Sequence, residues 1–104
     1  MKKINRLSDL MEIKKHFQEE FGSFLEAEFL NLYDYSNNGE SIEDFVLDSF
    51  QTILFFEKKE EIEKILDNPF ELEFIEEVNL NGFTILRVGI FREHNVQLCY
   101  FMKS

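Results

Sequence analysis

The chain has 104 residues, 44% of them hydrophobic, and its 21 acids against 11 Lys and Arg give a formal net charge of −10. That length fits one domain, which buries roughly 60–70% of its unfolded surface, and the hydrophobic share suits a globular fold. So acidic a balance argues against direct binding of nucleic acid or an anionic membrane, because neutralising phosphates takes clustered Lys and Arg.

In chain order, Ser8 is placed to cap a first helix running to about Phe21, with Asp9 favourably in its first turn. Leu10, Ile13, Phe17 and Phe21 form one stripe of it, and Gly22 suits the residue just past its end. Residues Phe24 to Tyr35 read as a helix on Leu25, Phe29 and Leu32, although Leu25, Ala27 and Phe29 alternate with Glu26 and Glu28 as in a strand. Ser36-Asn37-Asn38-Gly39 predicts a turn. Ser41 then opens a third helix, whose apolar face is Ile42, Phe45, Val46, Ser49, Phe50, Ile53 and Phe56, with Asp44, Asp48 and Gln51 opposite. Lys59 to Asp67 forms a further turn pattern with Ile62, Ile65 and Leu66 buried and Glu60 paired with Lys64, and Asn68-Pro69 stops it.

After Pro69 the period changes to two. Leu72, Phe74, Val78 and Leu80 lie in a first strand, with an irregularity near Ile75 and the Glu76-Glu77 pair. Asn81-Gly82 predicts a tight hairpin of type I′, with φ > 0 at both central residues. Phe83 to Arg92 forms a second strand, Glu93-His94-Asn95 a turn, and Val96 to Met102 a third strand. The expectation is an α+β single domain over residues 1–104. Helices over about 8–67 pack on a three-stranded antiparallel β-meander over about 70–103. Leu86, Val88, Ile90, Leu98 and Tyr100 are assigned to its core face and Phe83, Ile85, Phe91 and Phe101 to the other. A sheet apolar on both faces must be covered on both, by helices or by a partner.

Most candidate chemistry dissolves on inspection. Asp34, Ser36, Asn38 and Gly39 imitate the start of a calcium loop, but the twelfth position, where a bidentate Glu is needed, is Phe45. Glu71 with Glu73, or Glu76 with Glu77, are neighbouring strand carboxylates of the kind that keep an edge from aggregating. His16 and His94 lie on separate elements, and Cys99 is the only thiol, mid-strand, where a buried inert thiol is usual. All four glycines are accounted for by turns or a strand, so no phosphate loop is expected. The expectation is a non-enzyme with no catalytic residues, no metal and no cofactor. The longest apolar runs, such as Thr52 to Phe56, fall far short of the ~20 residues that span a bilayer. The basic start lacks the apolar stretch of a secretory signal, and one cysteine forms no internal disulfide. These features point to the cytoplasm.

Two anomalies remain. Thirteen phenylalanines without a tryptophan imply a core of large rings, with a few left exposed as anchors for a partner. From His16 to Glu57 there is no Lys or Arg, while ten acids fall in that stretch, and Lys2, Lys3, Arg6, Lys14 and Lys15 gather at one end. A concentrated negative field attracts and steers a basic partner. The expected partner-binding residues are Glu26, Glu28, Asp34, Glu40, Glu43, Asp44 and Asp48, with Tyr33 and Tyr35 as aromatic anchors.

Phe29-Leu-Asn-Leu-Tyr-Asp-Tyr35, Ser41-Ile-Glu-Asp-Phe-Val46 and Glu61-Ile-Glu-Lys-Ile-Leu66 fall within a run from Phe21 to Leu66. That run resembles the immunity proteins of bacterial contact-dependent growth inhibition systems. The resemblance implies a non-catalytic toxin inhibitor that binds the C-terminal domain of a delivered toxin, commonly a nuclease. Toxin-contacting residues vary within that family, so none carries over by position. Alternative readings are a phage-encoded nucleic-acid mimic that inhibits a host nuclease, and an oligomerising adaptor working through a two-sided apolar sheet.

Overall fold

A computed structural model describes residues 1–103 apart from Gln18, Asn37, Asn38, Phe50 and Pro69. The expectations resting on Asn37-Asn38, Phe50 and Pro69 lie outside the described residues. The elements run β1 (Lys2–Ile4), α1 (Leu7–His16), α2 (Glu19–Ser36), β2 (Ile53–Phe56), α3 (Lys59–Leu66), β3 (Leu72–Leu80), β4 (Phe83–Arg92) and β5 (Asn95–Lys103). They form an α+β fold around one five-stranded mixed sheet of order β1-β2-β5-β4-β3. The meander of β3, β4 and β5 is present, and β2 adds to it in parallel with β5, followed by β1 antiparallel to β2.

The helix expected from Ser41 to Phe56 is absent. The Ser41 carbonyl accepts the backbone N–H groups of Asp44 and Phe45, which makes a single turn, and Gln51 donates its N–H to the Asp48 carbonyl at 2.9 Å in a second one. Phe45 and Leu47 are buried while Val46 between them is exposed. Ile53 to Phe56 is buried along its whole length because β2 lies inside the sheet, with Ile53 and Phe55 in one core and Leu54 and Phe56 in the other. A strand covered on both faces shows no alternation, so its apolar run fits a helical face equally well.

The first helix also differs from expectation. It starts after Arg6, not Ser8, and Asp9 accepts the N–H groups of Asn5 (3.0 Å) and Arg6 (3.2 Å). It ends at His16, where Phe17 turns extended. Gly22 is no terminator; it sits inside α2, against α1. A Cβ there would lie 2.7 Å from Lys14 Cγ, so glycine is what lets the two helices approach. The stripe survives the break, since Leu10, Ile13, Phe21 and the half-buried Phe17 all reach one core.

That core lies between α1–α2 and one face of the sheet, and contains Ile4, Ile53, Phe55, Phe83, Ile85, Leu98 and Tyr100. Rings meet edge-on within it, Phe17 against Phe55 at 4.9 Å and Phe29 against Phe45 at 5.9 Å. The opposite face, with Leu54, Phe56, Leu86, Val88, Ile90 and Cys99, is covered by Ile62, Ile65 and Leu66 of α3. The expected division of the meander is therefore wrong in detail. The register sets Val88 opposite Cys99, Leu86 opposite Phe101 and Arg87 opposite Tyr100, so Leu98 and Tyr100 share a face with Ile85 and Phe83. Slipping a register by one residue swaps every side chain to the other face. The chain's own helices thus cover much of both faces, while Ile75, Phe91 and Val96 of the sheet stay exposed. In α3 the ion pair is Lys59 with Glu63 at 3.7 Å, in place of the expected Glu60–Lys64.

The expected hairpins form, but the backbone strain is placed differently. At Asn81-Gly82 only Gly82 has positive φ, at 87°. Both central residues are positive instead at Glu93 (48°) and His94 (69°), which the sequence fills with no glycine. The irregularity of β3 falls between Leu72 and Phe74, earlier than expected. Phe74 lies across Gly89, where a Cβ would be 2.3 Å from its ring, so β4 needs glycine there.

Candidate functional site

The C-terminal end of α2 and the segment after it build an acidic surface. Phe45 packs edge-on against Phe29 and against Tyr33 (5.1 Å), which fastens the segment to α2. Tyr33 donates its hydroxyl to the carbonyl of Glu40. Leu47, buried, donates its N–H to the Asn5 carbonyl at 2.6 Å, and Thr52 donates its hydroxyl to the Asp48 carbonyl at 3.1 Å. Two apolar anchors and these bonds thus hold a non-helical segment in place. Glu40, Glu43, Asp44, Val46 and Asp48 are exposed along it. Asp34 and Tyr35 are exposed beside it on α2, the Tyr35 ring to 89%.

The field here is unrelieved by the fold. The last turn of α2 carries no basic residue, although a helix C-terminus, negative by its own dipole, favours a cation. Asp34, Glu40, Glu43 and Asp44 have no ion pair with any described residue; Asp44 accepts the Ser41 hydroxyl at 2.9 Å. An exposed aromatic ring and exposed carboxylates are the groups that an Arg or Lys side chain engages, by stacking and by pairing.

The structure does not bring all nine expected residues to that surface. Glu26 pairs with Lys14 across the α1–α2 contact. Glu28 turns toward the sheet, where it accepts the Tyr100 hydroxyl at 2.8 Å and pairs with Arg87 Nη2 at 3.4 Å. Arg87 also pairs with Glu76 through Nη1 at 3.1 Å, and its guanidinium lies 4.9 Å from the Phe74 ring centre. Its Nε is buried with no hydrogen-bond partner among the described residues. Burial disfavours the Arg87 charge, but Tyr100 and Glu28 beside it outweigh that and raise its pKa, so it stays a cation. Burial first, and then the Glu28 carboxylate, push the Tyr100 hydroxyl above its ordinary range and keep it a donor. Sequence reasoning missed this network. Its one local signal was a lone arginine in the apolar run of β4, between Leu86 and Val88.

Of the other carboxylates weighed for chemistry, Glu71 pairs with Arg92 of β4 at 3.4 Å and Glu77 with Lys103 of β5 at 2.9 Å. Burial pushes the Cys99 thiol up to about 12, against a small opposing effect of Arg92, so it is protonated at neutral pH. Among the described residues no group of three or more His, Cys, Asp and Glu is arranged to hold a metal ion. Among them, too, no helix is long and apolar enough to cross a membrane. No protein-family model, curated protein or solved structure matches the chain.

Proposed function

We propose that this protein is an immunity protein, a cytoplasmic, non-catalytic inhibitor that docks on the basic C-terminal domain of a cognate bacterial toxin of the nuclease class. The observation that carries the reading is the pinned acidic surface. Asp34, Glu40, Glu43 and Asp44 are exposed on the last turn of α2 and the segment after it, as is the Tyr35 ring, and the sequence has no Lys or Arg from His16 to Glu57. A surface of this kind complements a nucleic-acid cleft lined with Lys and Arg, and steering raises association rates to ~10⁸–10⁹ M⁻¹s⁻¹ at low salt. Speed suits an inhibitor of an enzyme that does damage from its first turnover. Glu26 and Glu28 drop out of the interface because they hold the chain's own cations.

An immunity role predicts a toxin reading frame directly upstream of this gene, and the test uses the C-terminal domain of that frame. Co-expression should protect cells from that domain, and stopped-flow mixing should give fast, salt-sensitive association. Changing Asp44 and Asp48 to lysine turns two negative charges positive at exposed positions. Association should slow by about tenfold or more at low ionic strength, and its salt dependence should flatten, with the melting temperature held. A toxin domain that stays active with the chain in excess refutes the function. A double variant that binds as fast as the parent refutes the site.

A further inference from the structure

The chain has a second surface feature of opposite character. On the α3 side of the sheet the helix is short. Its eight residues extend about 12 Å and cover Leu54, Phe56, Val88 and Ile90 but not the end of the sheet where β1, β2 and β5 meet. That end holds a cavity of about 380 Å³. Register explains what lines it. Ile4 is buried under α1 and α2 and Lys2 lies over the Phe17 ring, so Lys3 between them projects to the α3 side, next to its partner Leu54. Gln97 pairs with Ile90, and Arg92 follows Ile90 by two, so both also face that side. Asn5, Ser49 and Thr52 complete the polar lining.

The composition of this cavity is not that of the chain. One residue in five is acidic overall, with 21 among 104, yet no described lining residue is a carboxylate, and two carry cationic side chains beside the Met1 ammonium, which pairs with Glu61 at 3.1 Å. Among the described residues Lys3 has no ion pair, and Arg92 pairs only with Glu71 at 3.4 Å, both side chains nearly half exposed, a contact of small worth. Gln97 is more than nine-tenths buried and donates its amide to the Thr52 carbonyl at 3.3 Å, which fixes it at the wall. A guanidinium and an ammonium facing one space, with amide and hydroxyl groups around them, recognise an oxoanion. The volume lies in the ~300–1,000 Å³ range of small-molecule sites, more than a bare phosphate fills, and Leu54 and Met1 give its body an apolar wall.

We infer that this cavity binds a small organic oxoanion, a phosphate- or carboxylate-bearing molecule of up to about mononucleotide size, between Lys3 and Arg92. It lies across the sheet from α1 and α2 and is independent of the toxin-docking proposal.

Isothermal titration calorimetry at low ionic strength on the whole chain tests it, with AMP, citrate and inorganic phosphate as probes at millimolar concentration. At least one organic probe should bind more tightly than inorganic phosphate. Binding of AMP without citrate marks the site as one for phosphates, and the reverse as one for carboxylates. Arg92→Gln and Lys3→Gln should each weaken that binding by about tenfold, while the lysine variant at Asp44 and Asp48 should not weaken it. Because calorimetry reads affinity directly, a change in the stability of a variant does not mask the result. No heat with any probe overturns the inference, and so does binding that Arg92→Gln and Lys3→Gln leave unchanged.

Discussion

Replacing Glu28 by glutamine separates the acids that serve the fold from those that serve the surface. Glutamine keeps the shape of the side chain and an oxygen that can still accept the Tyr100 hydroxyl at 2.8 Å. What disappears is the negative charge facing Arg87, whose side chain is only 22% exposed. Arg87 keeps Glu76 at 3.1 Å, but that carboxylate is more than half exposed and compensates weakly. Removing one partner of a buried pair costs about 3–5 kcal/mol. Here the surviving acceptor and the residual solvent contact reduce the loss to about 1–2 kcal/mol, the scale of one charge-assisted hydrogen bond. In a domain of this size each kcal/mol moves the melting temperature by about 4–8 °C. Urea and thermal unfolding, followed by circular dichroism, should therefore place Glu28→Gln well below the parent. The matching change at the exposed Glu43 should stay within about 0.5 kcal/mol of it. Equal stabilities for the two variants would refute the claim that Glu28 holds Arg87 in place, and would return Glu28 to the set of available surface acids.

The turn between β4 and β5 gives a prediction of the opposite sign. Glu93 and His94 both hold positive φ, which costs an ordinary L-residue roughly 1–2 kcal/mol, so replacing the pair by Asn-Gly should raise stability by about 1 kcal/mol in thermal melts; an unchanged or lower melting temperature would refute the assigned turn. The Cys99 thiol, pushed up to about 12 in the fold from about 9, predicts alkaline weakening. Above about pH 9 the unfolded chain loses its thiol proton while the folded chain keeps it, so this stability is intact below that pH and falls as pH rises toward 12. Denaturant titrations across that window should show a shallower fall for Cys99→Ala, and equal slopes would count against the buried thiol as the cause.

How much of this was legible in the sequence depended on how far each residue's partners lie along the chain. The meander was readable because its pairings are local: β4 was placed from Phe83 to Arg92, and Gly82 and the Glu93-His94 turn mark its ends. β2 was not readable, because its neighbours, β1 and the parallel β5, lie some fifty residues before it and about forty-five after it, and its four apolar residues belong to two cores. The same distance governs the charges. No cation occurs from His16 to Glu57, yet Lys14, Arg87 and Lys2 reach in to Glu26, Glu28 and Glu57. An excess counted along a sequence is therefore an upper bound on the charge a surface presents, since folding spends part of it on long-range pairs. What remains here is smaller and more local: besides Glu19 and Glu20 in the first turn of α2, it is the last turn of α2 and the segment that Phe45 and Leu47 pin beside it. A basic partner would recognise that remainder. There, Asp34, Glu40, Glu43 and Asp44 make no ion pair with any described residue and stay open to a cation from outside.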